Sequence, residues 1–301
     1  MIPHKTRPSP DSVCLLATVG AIMLWSTSFV GTKLAYDSFP PITLGALRFT
    51  AASLLLGVIV VIRGGCERLE KGDVKTVALS GFLGITLYFA MENIGVALTS
   101  ASNAALIVAS YPAITALLER ILYKVPVSRL QASGIAMAMA GVFILTHARD
   151  GFTGPNEFLG NLILFATGFV WALYNFTARK VVNKYSATTF ALYQTSAGAL
   201  FFLPLTLFEA SAWRVPTINS VIVLLYLALL CSVAAFMLYN FGLRRLSSTA
   251  AVSLMNLVPV FGVLCSVLIL GEAVTTSQIS GGIIVIGGVL LSLRKPTPVT
   301  A

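Results

Sequence analysis

Charged residues are scarce in this chain. Asp and Glu number 11 and Lys and Arg number 20 among 301 residues, so only 10% of the chain is charged while 57% is hydrophobic. A soluble domain carries about 25% charged residues. The shortage excludes an ordinary water-soluble domain, and no segment between the hydrophobic runs is long enough to form one. We therefore expect a chain that is surrounded mostly by lipid.

Catalytic and metal-binding patterns are also missing. The two histidines are His4, near the start, and His147, in a predicted loop. A membrane-embedded enzyme would need a nucleophile beside a base or a cluster of metal ligands, and the chain has neither an HExxH nor an Asp-rich motif. No CxxC pair occurs, and we interpret the cysteines as packing residues: Cys14, Cys66, Cys231 and Cys265. An enzyme is thus disfavoured, and we predict no cofactor and no metal.

Long hydrophobic runs are what the chain has in abundance. A membrane-spanning helix needs about 20 predominantly apolar residues, and ten runs of that length can be delimited. They cover residues 13–35, 41–62, 75–98, 101–123, 127–146, 158–180, 187–208, 218–241, 248–270 and 276–293. The predicted fold class is an all-α polytopic membrane protein with ten transmembrane helices.

The second half of the chain repeats the first. Trp25 and Trp171 lie 146 residues apart, as do Lys33 and Arg179. Four further pairs are separated by 147 residues: Asn93 and Asn240, Pro112 and Pro259, Gly134 and Gly281, and Gly141 and Gly288. An offset held over so long a stretch indicates a duplicated unit.

Each copy contains five of the ten predicted helices. Because five is odd, the second copy must enter the bilayer upside down relative to the first, which is the inverted-repeat arrangement of secondary transporters. The predicted segments are an N-terminal tail (1–12), a first five-helix repeat (13–146), an external linker (147–157), a second five-helix repeat (158–293) and a C-terminal tail (294–301). Inverted repeats rock around a site near the membrane midplane, so we favour a carrier.

Positive charge is distributed unevenly between the predicted loops. With the N-terminus in the cytoplasm, 16 of the 20 Lys and Arg residues fall on the cytoplasmic side, whereas Lys33, Arg149 and Arg214 lie outside and Arg48 lies within a span. This alternation follows the positive-inside rule and predicts that both termini are cytoplasmic. The net charge of +9 does not indicate nucleic-acid binding, since no basic domain stands free of the membrane.

Two ionisable residues, Arg48 and Glu92, lie inside predicted spans. Charged groups there cost about 2.5–3.5 kcal/mol at a helix centre and indicate function by default. By the rise of 1.5 Å per residue, Arg48 lies about 10 Å and Glu92 about 9 Å below the outer surface, so they could meet. We weigh two interpretations: a static ion pair, and an outer gate that receives an ionic substrate or a proton. Their counterparts in the second repeat, Gln194 and Tyr239, are neutral.

Trp25 and Trp171 lie close to the predicted midplane, although tryptophan prefers the membrane interface. A buried indole needs a partner for its N–H, and hydroxyl and amide residues flank both rings: Ser26, Thr27 and Ser28 in one helix, and Tyr174, Asn175 and Thr177 in the other. These residues predict a polar, aromatic-lined central pocket. The alternative is helix packing, with the hydroxyls bonded to their own helix.

The predicted substrate-binding residues combine these helices with their repeat partners. They are Trp25, Ser28, Arg48, Glu92, Asn93, Trp171, Tyr174, Asn175, Tyr239, Asn240 and Asn256. Pro112 and Pro259 fall near the centres of matching spans, where proline removes a backbone hydrogen bond and bends a helix. We predict that they act as hinges in gating.

Small residues mark the fifth and tenth predicted helices. Ala132, Ala136 and Ala140 recur every four positions in one, and the doublets Gly281–Gly282 and Gly287–Gly288 occur in the other. Small residues let helix backbones approach closely in lipid. They indicate either packing within one subunit, which we favour, or the interface of a homodimer.

The order of several short motifs resembles that of the EamA-type transporters of the drug/metabolite transporter superfamily. The motifs are Trp25 to Phe29 (WSTSF), Arg48-Phe49, Asn93 with Ala97-Leu98, Pro112, Trp171-Ala172, Asn240, Pro259 and Gly271-Glu272. The Gly-Glu pair occurs once only, because the first repeat has Tyr123-Lys124-Val125 there. The resemblance covers nearly the whole chain and matches the family as a whole better than a subgroup such as its YddG-like exporters.

The resemblance implies a ten-helix, multi-pass carrier of bacterial inner membranes that exports amino acids or other small metabolites. For a zwitterionic amino acid, Arg48 could hold the carboxylate while Glu92 holds the ammonium group or carries a coupling proton. A channel or a non-transporting scaffold is the alternative, with a membrane-embedded enzyme behind it. Orientation does not set the direction of net flux, so import also stays open.

Overall fold

Helices make up all the regular structure in the described parts of the chain. The computed structural model describes residues 10–124, 128–147, 156–246, 251–252 and 254–292. Most of both predicted tails and of the predicted linker therefore lie outside the described residues, as do positions 248–250 of the ninth predicted span. What can be compared with the predictions is the helical bundle itself.

Besides the helical residues 251–252, the part of the chain that the structure describes forms ten helical segments. They are α1 (Pro10–Ala35), α2 (Pro41–Ile62), α3 (Val74–Leu98), α4 (Ala101–Tyr123), α5 (Arg129–His147), α6 (Glu157–Ala178), α7 (Ala187–Ala212), α8 (Ile218–Gly242), α9 (Leu254–Leu270) and α10 (Thr276–Ser292). Seven are long and apolar enough to cross a membrane, and α5, α9 and α10 carry shorter apolar stretches. The predicted all-helical membrane architecture is confirmed at this level.

Helix contacts between the two halves are repeated when the helices of one half are interchanged with those of the other. α1 packs against α8 and α9 of the second half, and α6 packs in the same way against α3 and α4 of the first. α2 lies along α7, and α5 lies along α10. Each of these four kinds of contact thus has a counterpart, or is its own counterpart, when the halves are exchanged. We call the end of the bundle that holds residues 36–40 the outer end, and the opposite end the inner end.

Glycines bring α5 and α10 into backbone contact. A Cβ atom on Gly141 would lie 2.8 Å from the carbonyl oxygen of Gly281, and one on Gly288 would lie 2.7 Å from that of Gly134. Substitution at these positions would therefore push the helices apart. The small residues that pack within the subunit are these glycines, whereas Ala132, Ala136 and Ala140 are exposed on the other face of α5. The homodimer stays a prediction.

Both repeat-related prolines begin a new helical segment. α4 is interrupted after Val108, and Pro112 lies in the first turn of the following segment, Tyr111–Tyr123. In α9, a 3-10 turn precedes Pro259, which lies in the first turn of Val258–Cys265. Proline is suited to a first turn because the amide it lacks has no helical partner there. The predicted bends are present, and they are breaks in the helix rather than smooth kinks.

The third helix of each half contains a π-helical stretch. In α3 it covers Phe82–Leu87, and in α8 it covers Leu227–Ala234. Adding the repeat offset of 147 to the first range gives 229–234, which lies within the second. π-helical turns are rare and are frequent at functional sites. Their matched positions give the duplication a structural counterpart.

Candidate functional site

A cavity lies between the two halves, nearer the outer end. Its volume is about 20 Å³, which is about the room that one water molecule needs. Its lining residues are Trp25, Ser28, Phe29, Tyr88, Phe89, Glu92, Val108, Trp171, Met255 and Val258. All ten are buried. The walls come from α1, α3 and α4 of the first half and from α6 and α9 of the second. A space shared in this way changes shape whenever the halves move relative to each other.

Helical spacing explains which side chains reach the cavity. Trp25 and Phe29 are four residues apart on α1, as are Tyr88 and Glu92 on α3, and residues at that spacing share one helix face. Met255 lies one turn before the proline break of α9. The cavity therefore receives one face from each of the two helices that contribute most.

The two indoles form adjacent walls. The rings of Trp25 and Trp171 are perpendicular, with centroids 5.4 Å apart. Trp25 donates its Nε1–H to the carbonyl oxygen of Cys231 at 2.9 Å, an oxygen within the π-helical stretch of α8. Among the described residues, Nε1 of Trp171 is buried and has no acceptor. The need for an indole partner was predicted, but the partner of Trp25 comes from the other half of the chain.

The hydroxyl groups next to Trp25 bond to carbonyls of their own helix, and that of Thr27 also contacts the hydroxyl of Tyr226 on α8. Ser26 donates to the carbonyl oxygen of Ile22 at 2.8 Å, and Ser28 donates to that of Trp25 at 2.7 Å. Thr27 likewise donates to the carbonyl of Leu24 at 2.7 Å. These are the helix-internal bonds that were considered as the alternative to a polar pocket. Ser28 alone of the three also lines the cavity.

Glu92 is the charged member of the cavity wall. Its side chain is buried, and its Oε1 accepts a hydrogen bond from the hydroxyl of Tyr88 at 3.0 Å. Tyr88 lies one turn earlier on the same helix and also lines the cavity. The carboxylate is thereby held at the cavity rim of α3.

Arg48 lies behind the cavity wall and does not line it. Its Nε donates to Ser232 at 2.6 Å and its Nη2 to the carbonyl oxygen of Cys231 at 3.2 Å. The guanidinium group lies 4.7 Å from the ring centre of Phe89 and 5.2 Å from that of Phe49. Hydrogen bonds and cation–π contacts thus satisfy this buried charge.

The ion pair considered between Arg48 and Glu92 is not formed. Over the described residues, the one salt bridge joins Lys184 and Asp73, at 2.9 Å. Arg48 and Glu92 were predicted to lie at similar depths, but depth does not determine the direction of a side chain. Arg48 turns toward α8, and Glu92 turns toward α1 and α6.

Four of the predicted binding residues close the inner side instead of lining the cavity. Tyr174 donates to Oδ1 of Asn240 at 2.9 Å, and Tyr239 donates to Oδ1 of Asn175 at 2.7 Å. Nδ2 of Asn175 in turn donates to the carbonyl of Trp171 at 2.8 Å. All of these side chains are buried. The hydroxyl of Tyr174 also lies 3.5 Å from Oε1 of the buried Gln194. We call Tyr174, Asn175, Gln194, Tyr239 and Asn240 the inner network.

The remaining predicted residues, Asn93 and Asn256, also lie outside the cavity lining. Asn93 donates through Nδ2 to the carbonyl of Pro41 at 2.9 Å, and its own carbonyl accepts from Tyr36 at 2.6 Å. It therefore fastens α3 to the turn between α1 and α2. Asn256 lies in the 3-10 turn of α9 and is partly exposed.

Carboxylates cap helices across the boundary between the halves. Glu209 of α7 accepts from the backbone amides of Ile42 at 2.9 Å and Thr43 at 2.7 Å, and from the Thr43 hydroxyl at 2.8 Å. At the inner end Glu67, which follows α2, accepts from the amide of Ser186 before α7 at 2.9 Å. Each half thus supplies an acid for an N-terminus of the other half, where unpaired amides favour negative charge.

The Gly271-Glu272 motif has the same function for α4. Gly271 has a φ of +68°, a left-handed conformation that glycine adopts without strain. The turn brings Glu272 to the amides of Ala101 at 2.9 Å and Ser102 at 3.0 Å. The motif therefore joins the end of α9 to the start of α4 at the outer end.

An electrostatic clamp lies at the inner end, outside the membrane-spanning helices. Lys184 and Tyr185 both donate to the carboxylate of Asp73, at 2.9 Å and 2.8 Å. The hydrogen bond from Lys184 is the main reason that the pKa of Asp73 lies below its ordinary value of 3.8. The same bond raises the pKa of Lys184 above its ordinary value of 10.5.

Sequence reasoning missed six residues of the cavity lining: Phe29, Tyr88, Phe89, Val108, Met255 and Val258. Tyr88 and Phe89 precede Glu92 by four and three residues, and that spacing was a usable signal. The apolar residues on α4 and α9 gave no such signal, since most residues of these helices are apolar.

The family model of the EamA-like transporters matches the chain twice, over residues 12–147 and 158–294. The chain belongs to this family. It is a multi-pass membrane transporter and not an enzyme, and the double match agrees with the duplication of the sequence.

Relatives cover nearly the full length. An "uncharacterized transporter" of Archaeoglobus fulgidus is 28% identical over 91% of this chain and 95% of its own. A "probable terminal-alkyne amino-acid exporter" of Streptantibioticus cattleyicolor is 25% identical over 94% of both chains. The "uncharacterized inner membrane transporter YedA" of Escherichia coli is 24% identical over 93% of this chain and 92% of its own. A solved structure with 22% identity superposes with a TM-score of 0.68 over 94% of this chain and 96% of its own, which shows a common fold.

Proposed function

We propose that this protein is a secondary active exporter of a small amphipathic solute, an amino acid or a related compound, and that it works by alternating access. The observation that carries the proposal is the buried cavity, whose wall is built by both halves of a duplicated bundle. In such a bundle one half rocks against the other around a central site.

The ten helices are proposed to form two inverted repeats. The exchange pattern of the helix contacts supports this, since the contacts of α1 with α8 and α9 are matched by those of α6 with α3 and α4. The matched π-helical stretches support it as well. The breaks at Pro112 and Pro259 then supply one flexible joint in each repeat, at the edge of the cavity.

The proposed location is the bacterial inner membrane, with both termini in the cytoplasm. The asymmetry of Lys and Arg supports the orientation, and a relative named an inner membrane transporter supports the compartment. A reporter that is active only in the periplasm should stay silent when fused after Lys295. Cys66, which is exposed, should react with an impermeant thiol reagent only after the membrane is permeabilised. Labelling of intact cells would show that the span count is wrong.

An amino-group-bearing solute suits the cavity. Aromatic walls offer apolar contact, and Glu92 offers an acceptor for an ammonium group. A relative is named a probable amino-acid exporter, which supports the same class of solute. Proton coupling is proposed through Glu92, whose carboxylate can bind either a proton or the solute. A channel or scaffold has no specific observation in its favour.

Counterflow in proteoliposomes tests the proposal. Vesicles preloaded with a mixture of unlabelled amino acids should take up labelled amino acids faster than empty vesicles, and uptake should saturate. A channel gives uptake that does not depend on the preload. Trp25→Ala and Trp171→Ala should abolish counterflow with insertion intact, whereas Trp213→Ala, outside the cavity, should retain it. Counterflow that survives in both cavity variants would place the site elsewhere.

A further inference from the structure

We infer that the cavity recognises the ammonium end of its substrate and leaves a carboxylate without a partner, so its preferred substrates are monocationic amines. The inference rests on the proposed function and narrows its substrate class. It depends on three observations: the charges that line the cavity, the hydrogen-bond donors that are already used, and the position of Arg48.

The lining offers negative charge and ring faces. Glu92 is the charged residue among the ten lining residues of the described structure, and five of the ten are aromatic. The ring centres of Tyr88 and Trp171 lie 4.9 Å apart, and those of Tyr88 and Phe89 are also separated by 4.9 Å. A cation is attracted to such a ring when it lies within about 6 Å of the ring centre. Aromatic faces beside a carboxylate form a cage suited to an ammonium group.

Three polar hydrogens of the lining are already engaged within the protein. Ser28 donates to the Trp25 carbonyl, Tyr88 donates to Glu92, and the Trp25 indole donates to the carbonyl of Cys231. The Trp171 indole is shielded within the protein, and one neutral N–H does not balance a carboxylate charge. What remains available to a ligand is the acceptor capacity of Glu92 and of the Ser28 oxygen. Acceptors require a donor, and an ammonium group supplies three.

Arg48 does not make up for this lack of donors. Its guanidinium is not part of the lining and lies 4.7 Å from the ring centre of Phe89, which is, and its Nε and Nη2 are bonded to α8. A substrate carboxylate would lose its hydration, find no cation, and lie near Glu92. Burial of a charge without a partner is strongly unfavourable. A zwitterionic amino acid is therefore expected to bind less tightly than the amine that lacks its carboxylate.

Three ligands with the same ring and chain separate these possibilities: phenethylamine (ammonium only), phenylalanine (zwitterion) and 3-phenylpropionate (carboxylate only). Titration calorimetry on the purified full-length protein should give at least tenfold tighter binding for phenethylamine than for phenylalanine, and none for 3-phenylpropionate. Glu92→Gln should weaken phenethylamine at least tenfold and bring the two affinities together. Glu70→Gln, at an exposed acid in the loop before α3, should change nothing.

Equal or tighter binding of phenylalanine, or binding of none of the three, would overturn the inference. Should Glu92→Gln fail to fold, the order of the three ligands on the unaltered chain decides. Counterflow of the same ligands separates the two proposals. Transport of phenylalanine without preference for the amine overturns the inference and leaves the carrier. Preferential binding of phenethylamine without counterflow of any solute overturns the carrier and leaves the ligand preference.

Discussion

The two halves of the molecule share a scaffold but place different side chains at matching positions. Ser28 lines the cavity, whereas its counterpart 146 residues on, Tyr174, donates to Asn240 in the inner network. Glu92 lines the cavity, whereas its counterpart Tyr239 donates to Asn175 in the inner network. The comparison teaches that matching positions of the two halves differ in role, since one pair borders a cavity with a carboxylate and the other pair belongs to a neutral hydrogen-bond network.

Gly84 leaves room for the ring of Tyr174. A Cβ atom on Gly84 would lie only 2.3 Å from the ring of Tyr174, so the π-helical stretch of α3 gives way to the tyrosine there. Ser28, at the matching position of the first half, has no ring and borders the cavity instead. The two matching positions therefore differ in how much space their side chains occupy.

The largest effect is expected when a charged residue is introduced into the neutral inner network. Gln194→Glu is nearly isosteric and places a carboxylate at the position that matches Arg48. An uncompensated buried charge costs about 3–5 kcal/mol, so we expect loss of most folded protein at neutral pH. The measurement is the monodisperse fraction in size-exclusion chromatography together with the thermal unfolding temperature.

Gln131→Glu is the control, because it makes the same change where Gln131 caps α5 and is partly exposed. It should leave the unfolding temperature nearly unchanged. Equal unfolding temperatures for Gln194→Glu and Gln131→Glu would mean that water reaches the inner network. The inner network would then not be the dehydrated region that the comparison assumes.

Removal of one hydroxyl from each half sharpens the comparison. Tyr239→Phe strands the buried oxygen of Asn175, which costs about 1–3 kcal/mol, and should lower the unfolding temperature. Tyr88→Phe releases Glu92 in the cavity and should act mainly on ligand affinity. Both variants would be measured by thermal unfolding and by phenethylamine titration. The same profile from the two variants would mean that the halves do not differ in function.

The carboxylate caps give a smaller contrast. Glu209 accepts three hydrogen bonds and is partly exposed, whereas Glu67 accepts one and is exposed. Loss of a helix cap costs about 0.5–2 kcal/mol, so Glu209→Gln should lower the unfolding temperature more than Glu67→Gln. Equal shifts of the unfolding temperature would indicate that the caps by Glu209 and Glu67 contribute equally to stability.

The electrostatic clamp of Asp73, Lys184 and Tyr185 should have the smallest effect on the unfolding temperature, and only at extreme pH. Because the pKa of Asp73 is lowered in the folded protein, its contribution is present above its ordinary pKa and is lost as pH falls through the lowered value. The raised pKa of Lys184 predicts a second loss, as pH rises through that value. Unfolding temperatures should therefore be flat around neutral pH. Asp73→Asn should remove the acid loss, and a stability change near pH 7 that disappears in this variant would contradict the assignment.

Helix positions could be predicted from the sequence because apolar length alone determines them. The predicted span 41–62 coincides with α2, and 218–241 differs from α8 by one residue. The site was less accessible to prediction. Arg48 contacts Ser232, 184 positions away, and no local pattern tells a buried arginine which neighbour it meets.

Ring size was visible in the sequence, but its consequence was not. Tyr174 and Ser28 occupied matching positions in the predicted pocket, and both were assigned to it. Whether such a residue lines a space or fills it depends on the opposing helix, here on Gly84. The carboxylate caps were missed for a related reason, since Glu209 meets residues 166 and 167 positions earlier.

The two cross-boundary caps have a mechanical consequence. Glu209 fastens the outer end of the α2–α7 pair, and Glu67 fastens its inner end. A movement that parts the outer end must break the bonds of Glu209 but can keep that of Glu67, and the reverse holds at the inner end. In such a movement the helix pair would pivot about the end whose carboxylate keeps its hydrogen bonds. The strength of the hydrogen bonds at each end would then determine how readily that end opens.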